Sequence, residues 1–360
     1  MAIATAPWAA LAAALASAAA PAVAGDLLLT GAKPDRLLVI DATTRKLRSE
    51  FHIPGANGLV GTIMPSSDGR RAYVLVNRME SVVGLELKTG KPVFRADLSS
   101  PGERVKAFFA MTLTPDGREL VVYELPTRLK PGEYEVLEPR FAVYRTDAGL
   151  EAKPVRSFPA PRRVHMLLMR PSGKSFYAIG VDLYEYELAS GKQLGMRGIQ
   201  HWQQPRHSQP DLLAMWPVTE PTGVFVSPVS SDVGEPGKSV PMTALMSLDL
   251  ASGALEYHDF EPAETIIFST VLAPDRKSAY GVYTTLSHID TEHHRLANRV
   301  PLDHTYYTIA IASDGHELYL GGTMCDVGFY DPATLAKRAL LKLPGCADQS
   351  VSSLRVVREH

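Results

Sequence analysis

Two kinds of tight-turn signature alternate along this chain of 360 residues, and their regular spacing constrains the fold more than any other feature. The first kind is an apolar run that ends near an acidic residue and is followed by a small polar turn. It starts seven times, at Val39, Leu85, Val143, Tyr186, Leu248, His288 and Tyr330. The second kind is a corner of the Ser-Asp-Gly or Pro-Asp-Gly type, where glycine tolerates the positive φ of a hairpin. It ends six times, at Arg70, Arg118, Lys174, Gly223, Lys277 and His316, with the fourth example weaker than the others.

The turns of the first kind recur about every 48 residues. A repeat of this size, built from several short strands, is typical of a β-propeller whose blades are four-stranded antiparallel sheets. If the strands of a blade are called A to D from the axis outwards, the corners join A to B and the other turns join C to D. Seven C–D turns therefore predict seven blades. A single large β-sandwich is the alternative fold, but it does not explain the regular spacing.

The corners number one fewer than the C–D turns, and this difference predicts how the ring closes. The ordered chain then begins at strand B of blade 1, near residues 27–29, and the missing strand A comes from residues 350–357. Pairing the two ends of the chain in one blade removes open sheet edges. The sequence thus predicts an all-β, seven-bladed propeller that is closed by pairing its N- and C-terminal strands.

The first 24 residues differ in composition from the rest of the chain. Residues 8–24 are rich in Ala and Leu, carry no charge and end Ala22-Val23-Ala24, which is typical of a signal-peptide cleavage site. No Lys or Arg precedes this run, whereas a signal peptide usually has a positively charged segment before its apolar part. A membrane anchor is the alternative, but the run is interrupted by Pro21 and falls short of about 20 strongly apolar residues. We expect a cleaved signal peptide over residues 1–24, a periplasmic location and one propeller domain over residues 25–360.

The chain has two cysteines, Cys325 and Cys346, on either side of its last C–D turn. In an oxidising compartment they can pair and fix the closing blade. Two separate buried thiols are the alternative, because a disulfide requires a specific approach that spacing alone does not reveal.

Motifs that place a cofactor or a nucleophile on a chain are missing from this sequence. It contains no Cys-x-x-Cys-His, no glycine-rich phosphate loop and no Gly-x-Ser-x-Gly turn. His293 and His294 are adjacent, but we interpret them as part of a solvated turn and not as a zinc site. The net charge of −2 is nearly balanced and indicates no nucleic-acid partner. We predict no catalytic residue, metal or cofactor in this chain.

Loop lengths predict which face of the propeller binds a partner. The A–B and C–D turns are short, whereas insertions fall in the connections of the opposite face: residues 127–139 and 230–239 between strands B and C, and residues 193–209 between blades. Repeat proteins usually place insertions on the binding face. Aromatic and arginine side chains are the common anchors of interfaces. The candidates on this face are Arg104, Phe108, Trp202, Trp216 (on the inner strand of blade 5), His304, Tyr306 and Tyr307. For each one alone, packing between blades or solvation is the alternative.

Five segments, in matching order along the chain, resemble the β subunit of quinohaemoprotein amine dehydrogenase. They are PDRLLVID at 34–41, SSPGERVKAFFAMTLTPDG at 99–117, SQPDLLAMW at 208–216, IIFSTVLAPDR at 266–276 and LDHTYYTIAIASDG at 302–315. Many propellers share the Asp-Gly corners, but the middle three segments are more specific. The resemblance extends over nearly all of residues 25–358.

The resemblance implies a periplasmic complex of three different subunits that oxidises primary amines. In that family an α subunit carries two c-type haems, and a small γ subunit carries cysteine tryptophylquinone. The β subunit is a propeller without a redox centre, against which the other two pack. The quinone then supplies the chemistry, and this chain supplies position and exclusion of water. The isolated chain is expected to be non-catalytic.

Three other functions are alternatives. A methylamine dehydrogenase-type large subunit is also a periplasmic propeller, paired with a quinone-bearing small subunit. A stand-alone propeller hydrolase gathers carboxylates and a metal over the channel, where the inter-blade segments here supply only Asp211, Glu264 and Asp303. A binding scaffold with no catalytic role is the third, because fold alone does not determine function.

Overall fold

The structure of the protein is a computed structural model, in which nearly all of the chain beyond the predicted signal peptide is described. The described residues are 25–213, 215–235, 237–346, 348–349 and 351–358, so the predicted signal peptide, residues 1–24, lies outside them. The regular secondary structure of the described residues is almost entirely strand, with two short 3-10 segments at Gly149–Glu151 and Pro344–Cys346. Its strands form seven antiparallel sheets, each with a four-stranded blade. The predicted seven-bladed propeller is therefore confirmed.

The strands are numbered along the chain and run from A to D within each blade. Blade 1 has β1 (Asp26–Ala32), β2 (Arg36–Asp41) and β3 (Lys46–His52) as strands B to D, and blade 2 has β4 (Ile63–Pro65), β5 (Arg71–Val76), β6 (Ser81–Glu86) and β7 (Pro92–Asp97). Blade 3 has β9 (Met111–Leu113), β10 (Glu119–Lys130), β12 (Arg140–Arg145) and β13 (Arg156–Pro159) as strands A to D. Two further strands, β8 (Glu103–Lys106) and β11 (Glu133–Val136), pair with the extended end of β10. Blade 4 has β14 (Met166–Met169), β15 (Ser175–Ile179), β16 (Leu183–Glu187) and β17 (Gln193–Arg197).

The remaining blades follow the same order. Blade 5 has β18 (Asp211–Leu212), β19 (Val224–Val233), β20 (Val240–Asp249) and β21 (Leu255–Pro262), and blade 6 has β22 (Ile267–Leu272), β23 (Ser278–Tyr283), β24 (Thr285–Asp290) and β25 (Arg295–Pro301). Blade 7 has β26 (Thr308–Ile311), β27 (Leu318–Gly321), β28 (Asp326–Tyr330) and β29 (Lys337–Lys342), and β30 (Leu354–Arg358) returns to blade 1 as strand A.

The two ends of the described chain close the ring, as predicted. β30 pairs antiparallel with β1, in a register that runs from Asp26 opposite Arg358 to Thr30 opposite Leu354. The Ser353 hydroxyl accepts a hydrogen bond from the Ile63 amide at 2.8 Å, which ties the C-terminal segment to the first strand of blade 2. The C-terminal segment thus joins blade 1 and connects it to the next blade.

Burial explains why the B and C strands appear in the sequence as apolar runs, whereas the D strands do not. A central strand such as β5 is buried from its second residue to its last, because neighbouring blades cover both of its faces. Large aromatic side chains, among them Tyr73, Phe94 and Phe141, fill the spaces between blades and are at most 1% exposed. The outer strand β29 instead alternates between exposed and half-buried residues. Each large apolar side chain that is buried between blades stabilises the fold by about 1.5–3 kcal/mol.

Two of the three predicted insertions form regular hairpins. The predicted start of the third, the inter-blade loop at residues 193–209, is wrong. β10 continues past the blade and pairs with β11, and β19 pairs with β20 as far as Val233 opposite Val240. Residues 193–197, predicted as part of an inter-blade loop, form strand D of blade 4. An outermost strand covered on only one face is rich in exposed residues, so its sequence resembles that of a loop. The connection to blade 5 begins only after Arg197.

Cys325 and Cys346 form a disulfide, which decides between the two alternatives that the sequence left open. Their Cα atoms lie 4.6 Å apart, at a sequence separation of 21 residues. The bridge links the start of β28 to the segment after β29. It therefore joins the last full blade to the chain that closes the ring.

Replacing both cysteines by serine is expected to lower the free energy of unfolding by about 3 kcal/mol, because the bridge restricts the unfolded chain over a loop of this length. Chemical denaturation with and without dithiothreitol measures the effect. The reduced parent protein should match the variant, and the variant should not respond to reductant. Equal unfolding midpoints for the oxidised parent and the variant would show that the bridge adds no stability.

Candidate partner-binding face

The seven candidate residues do not form one cluster. Because each blade is antiparallel, its B–C connection and the D–A connection to the next blade lie on the same face of the propeller. Arg104 and Phe108 lie between blades 2 and 3, and Trp202 lies beside the outermost strand of blade 5. Trp216 and Tyr307 lie near the propeller axis, close to blades 5 to 7.

Four aromatic side chains, which we call the axial aromatic cluster, meet where blades 5, 6 and 7 approach the axis. They are Trp216, Phe268, Tyr283 and Tyr307. The Phe268 ring centroid lies 4.7 Å from that of Tyr307, 5.4 Å from that of Trp216 and 5.6 Å from that of Tyr283. Trp216 is buried, whereas the other three are half-buried. The cluster thus presents a partly exposed aromatic surface supported by a buried indole.

Contacts across the axis hold this cluster in place. The Trp216 indole donates a hydrogen bond to the Val351 carbonyl at 3.4 Å, and Glu220 forms an ion pair with Arg355 of β30. Arg355 is only 3% exposed and also donates to the Ile63 carbonyl at 3.2 Å. These contacts connect blade 5 to blades 1 and 2, which are not its neighbours in the ring. The connection between β18 and β19 therefore reaches across the central channel.

His304 and Tyr306 contribute to a buried hydrogen-bond network in blade 7. The Asp326 carboxylate, at the start of β28, lies 3.0 Å from His304 Nε2 and accepts hydrogen bonds from the Tyr306 hydroxyl at 3.2 Å and Lys342 Nζ at 2.7 Å. His304 Nδ1 lies 2.9 Å from the Thr305 carbonyl, so both ring nitrogens face oxygen acceptors. Burial and the nearby Asp326 carboxylate raise the pKa of Tyr306 far above its usual value, which keeps the hydroxyl neutral. The network fixes the segment that leads to Tyr307.

Between blades 2 and 3, Arg104 is held by a surface ion pair. Its guanidinium lies 2.6 Å from Glu80, and Lys106 Nζ lies 3.4 Å from the same carboxylate. Burial alone would raise the pKa of Glu80, but the hydrogen bonds and charges of Arg104 and Lys106 outweigh it and lower the pKa. Phe108 is 49% exposed and packs edge-on against Phe109, with centroids 5.4 Å apart. Phe108 therefore offers an apolar surface four residues along the chain from the ion-paired Arg104.

The structure corrects the placement of two candidates. Trp216 does not lie on the inner strand of blade 5, because that strand ends at Leu212 and Trp216 follows it in the connection to β19. Trp216 and Tyr306 are 3% and 1% exposed, so they support the face from within and offer almost no surface to a partner. Both pack in the core between blades 6 and 7.

Sequence reasoning missed Phe268 and Tyr283 as members of the face. Phe268 lies within an apolar run at the start of strand A, where an aromatic residue is hard to distinguish from core. Tyr283 ends strand B of the same blade. Their position at the face end of a strand was a usable signal, since residues at the ends of blade strands lie beside the loops.

Among the described residues, no group of three or more His, Cys, Asp or Glu side chains is placed to hold a metal ion. The same part of the chain contains no helix that is long and apolar enough to cross a membrane. The predictions that this chain has no cofactor and no membrane anchor stay predictions.

Comparisons with known proteins find relatives by structure and not by sequence. No family model matches the sequence, and no curated protein does. Hydrazine synthase of Kuenenia stuttgartiensis superposes with a TM-score of 0.56 at 13% identity, over 92% of this chain and 99% of that one. The dihydro-heme d1 dehydrogenase NirN, in complex with DHE, superposes with a TM-score of 0.55 at 15% identity, over 91% of this chain and 74% of that one.

A third solved structure, a protein of unknown function from Desulfotomaculum acetoxidans DSM 771, superposes with a TM-score of 0.59 at 10% identity, over 93% of this chain and all of that one (100%). Similarity at these identities shows the fold alone. The resemblance to the amine dehydrogenase β subunit has no support from these sequence comparisons and stays a prediction. The chain is thus similar in fold to propeller proteins, one of which is named as a dihydro-heme d1 dehydrogenase.

Proposed function

We propose that this chain is the propeller subunit of a periplasmic amine dehydrogenase of the quinohaemoprotein type. In this proposal a γ subunit bearing cysteine tryptophylquinone and a dihaem cytochrome c α subunit pack against the propeller, and the complex deaminates primary amines oxidatively. The chain itself positions its partners and contributes no catalytic residue.

The axial aromatic cluster is the observation that supports this proposal most directly. Three half-buried rings, Phe268, Tyr283 and Tyr307, lie on the face that also has the longer connections. The buried Trp216 and the ion pair between Glu220 and Arg355 hold that surface rigid. Rigid aromatic side chains in a pre-formed surface are the usual anchors of stable interfaces, because ordering them costs little entropy on binding.

Two further observations support the cellular setting and the chemistry. The disulfide between Cys325 and Cys346 is typical of an oxidising compartment, in agreement with the predicted signal peptide. A protein named as a dehydrogenase of a haem has a similar fold. This similarity is an analogy of fold, and a fold by itself does not determine function.

The test is co-purification of the γ subunit with variants of the cluster. We expect the double variant Phe268→Ala/Tyr307→Ala to weaken γ binding at least a hundredfold, because interface anchors of this kind each contribute about 2 kcal/mol or more. Leu340→Ala, an exposed apolar residue on the outer strand β29, is the control and should retain γ. Full retention of γ by the double variant, with its thermal stability unchanged, would rule out this face as the docking surface.

A further inference from the structure

A small cavity of about 150 Å³ lies against the outermost strand of blade 5, away from the axial aromatic cluster. Its walls include Trp202 and His207 from the inter-blade connection and Tyr257 and Asp259 from β21. The Trp202 ring centroid lies 5.0 Å from that of Tyr257 and 5.4 Å from that of His207, both edge to face. Burial raises the pKa of Tyr257 to about 12, so this wall stays neutral. The cavity is therefore lined by rings on several sides.

Two histidines line both this cavity and a larger cleft between blades 5 and 6. His258 and His294 stack in parallel with centroids 3.9 Å apart, and both border the two spaces. The cleft has a volume of about 350 Å³ and an apolar floor that includes Leu245, Phe260 and Ile289. A ligand with a polar head and a short apolar chain can therefore use both spaces.

Carboxylates, and not cations, dominate the charge around the small cavity. Asp259 lines it directly, where it accepts a hydrogen bond from His207 Nε2 at 3.0 Å, and its side chain is 28% exposed. Glu256, on the same strand, lines the adjoining cleft. No Lys or Arg is among the described residues that line the small cavity.

Two guanidinium groups of blades 4 to 6, those of Arg197 and Arg276, are engaged by other partners. Arg197 donates to the Gly253 carbonyl and lies 5.9 Å from the Tyr177 ring centroid. Arg276, which lines the larger cleft, pairs with Asp249 at 3.3 Å. Neither places its charge inside the small cavity, so an entering cation meets rings and a carboxylate.

We propose that this cavity binds small organic ammonium ions, with the charged head in the space bordered by Trp202, Tyr257 and Asp259 and the alkyl group directed towards the apolar cleft. Aromatic rings attract cations through their quadrupoles, and a surrounding set of rings with a carboxylate is the usual arrangement for substituted ammonium groups. A neutral molecule of the same shape gains only the apolar contact. The inference rests on this cavity and does not depend on the proposed function.

The experiment titrates the full exported chain, without partner subunits, with n-butylammonium chloride and, in parallel, with butan-1-ol. The described chain has two tryptophans, Trp202 in the cavity and the buried Trp216, so ligand binding should change the tryptophan fluorescence. Isothermal titration calorimetry gives the dissociation constant. We expect saturable binding of the ammonium ion and at least tenfold weaker binding of the alcohol.

Trp202→Leu should weaken ammonium binding about tenfold, whereas Trp202→Phe, which keeps a ring, should weaken it less. Asp259→Asn tests the carboxylate independently and should also reduce affinity for the cation without changing that for the alcohol. Tyr134→Leu, a 77% exposed residue on the β10–β11 hairpin, is the control and should bind normally. Equal affinity for alcohol and ammonium ion, or unchanged affinity in both Trp202→Leu and Asp259→Asn, would overturn the inference. Because no partner subunit is present in this experiment, its outcome does not depend on whether the proposed function is correct.

Discussion

Truncation of the chain before Val351 is expected to abolish cooperative folding, the largest effect that this structure implies. The deletion removes β30, so β1 loses five register pairs and blade 1 keeps only three strands. The deletion also removes three buried side chains, those of Leu354, Val356 and Val357. Each such side chain contributes about 1.5–3 kcal/mol, and the total approaches the stability of a typical domain. Far-ultraviolet circular dichroism with a urea titration measures the outcome.

A circular permutant is the matched control for this deletion. Asp26 lies opposite Arg358, so a short Asn-Gly hairpin can join the two native ends, and new ends can be opened at the exposed Gly132 turn. This permutant should fold with a midpoint close to that of the parent, because it keeps every blade complete. If the truncated chain instead unfolds cooperatively at the parent's midpoint, the terminal strand does not close the ring.

Replacing Trp216 by alanine is expected to lower the free energy of unfolding by about 3–5 kcal/mol, the usual cost of removing a large buried aromatic side chain. The indole is 3% exposed, packs against Phe268 and Tyr307, and donates across the axis to Val351. Its loss leaves a cavity and frees the rings that it supports. Guanidinium unfolding followed by circular dichroism measures the change.

Trp202→Ala is the natural comparison, because it removes the same side chain from a half-buried site at the outer edge of blade 5. We expect this variant to lose clearly less stability than Trp216→Ala. Equal losses would mean that Trp216 has no special role at the axis. Trp216→Ala should also weaken γ binding, since Tyr307 loses its support.

The architecture could be predicted because turns depend on local chemistry. Each corner needs a residue that accepts positive φ, as Gly69 and Gly117 do. Each corner can therefore be recognised in the sequence independently of the others. The count of C–D turns gave the blade number, and the one missing corner gave the closure. The outer strand β17 was missed because one exposed face leaves no apolar pattern to detect. Local signals therefore predict strands that are buried on both faces better than strands at an edge.

The candidate site was less predictable, because it depends on contacts between residues far apart in sequence. The ion pair between Glu220 and Arg355 joins residues 135 positions apart in the sequence. The repeat pattern does not show which side chains meet across the central channel. Tyr306 and Tyr307 are adjacent and chemically alike, yet one is buried against Asp326 and the other stacks on Phe268. The sequence placed both residues in one segment of the predicted face, but only the packing separates the buried residue from the half-buried one.

Isolation of the native protein from periplasm, followed by absorption spectroscopy and quinone staining of its subunits, tests the central proposal most directly. We expect haem bands, a small quinone-staining subunit and amine oxidation by the assembly, with no amine oxidation by this chain alone. Amine oxidation by the isolated chain, or its recovery without any haem- or quinone-bearing partner, would contradict the account.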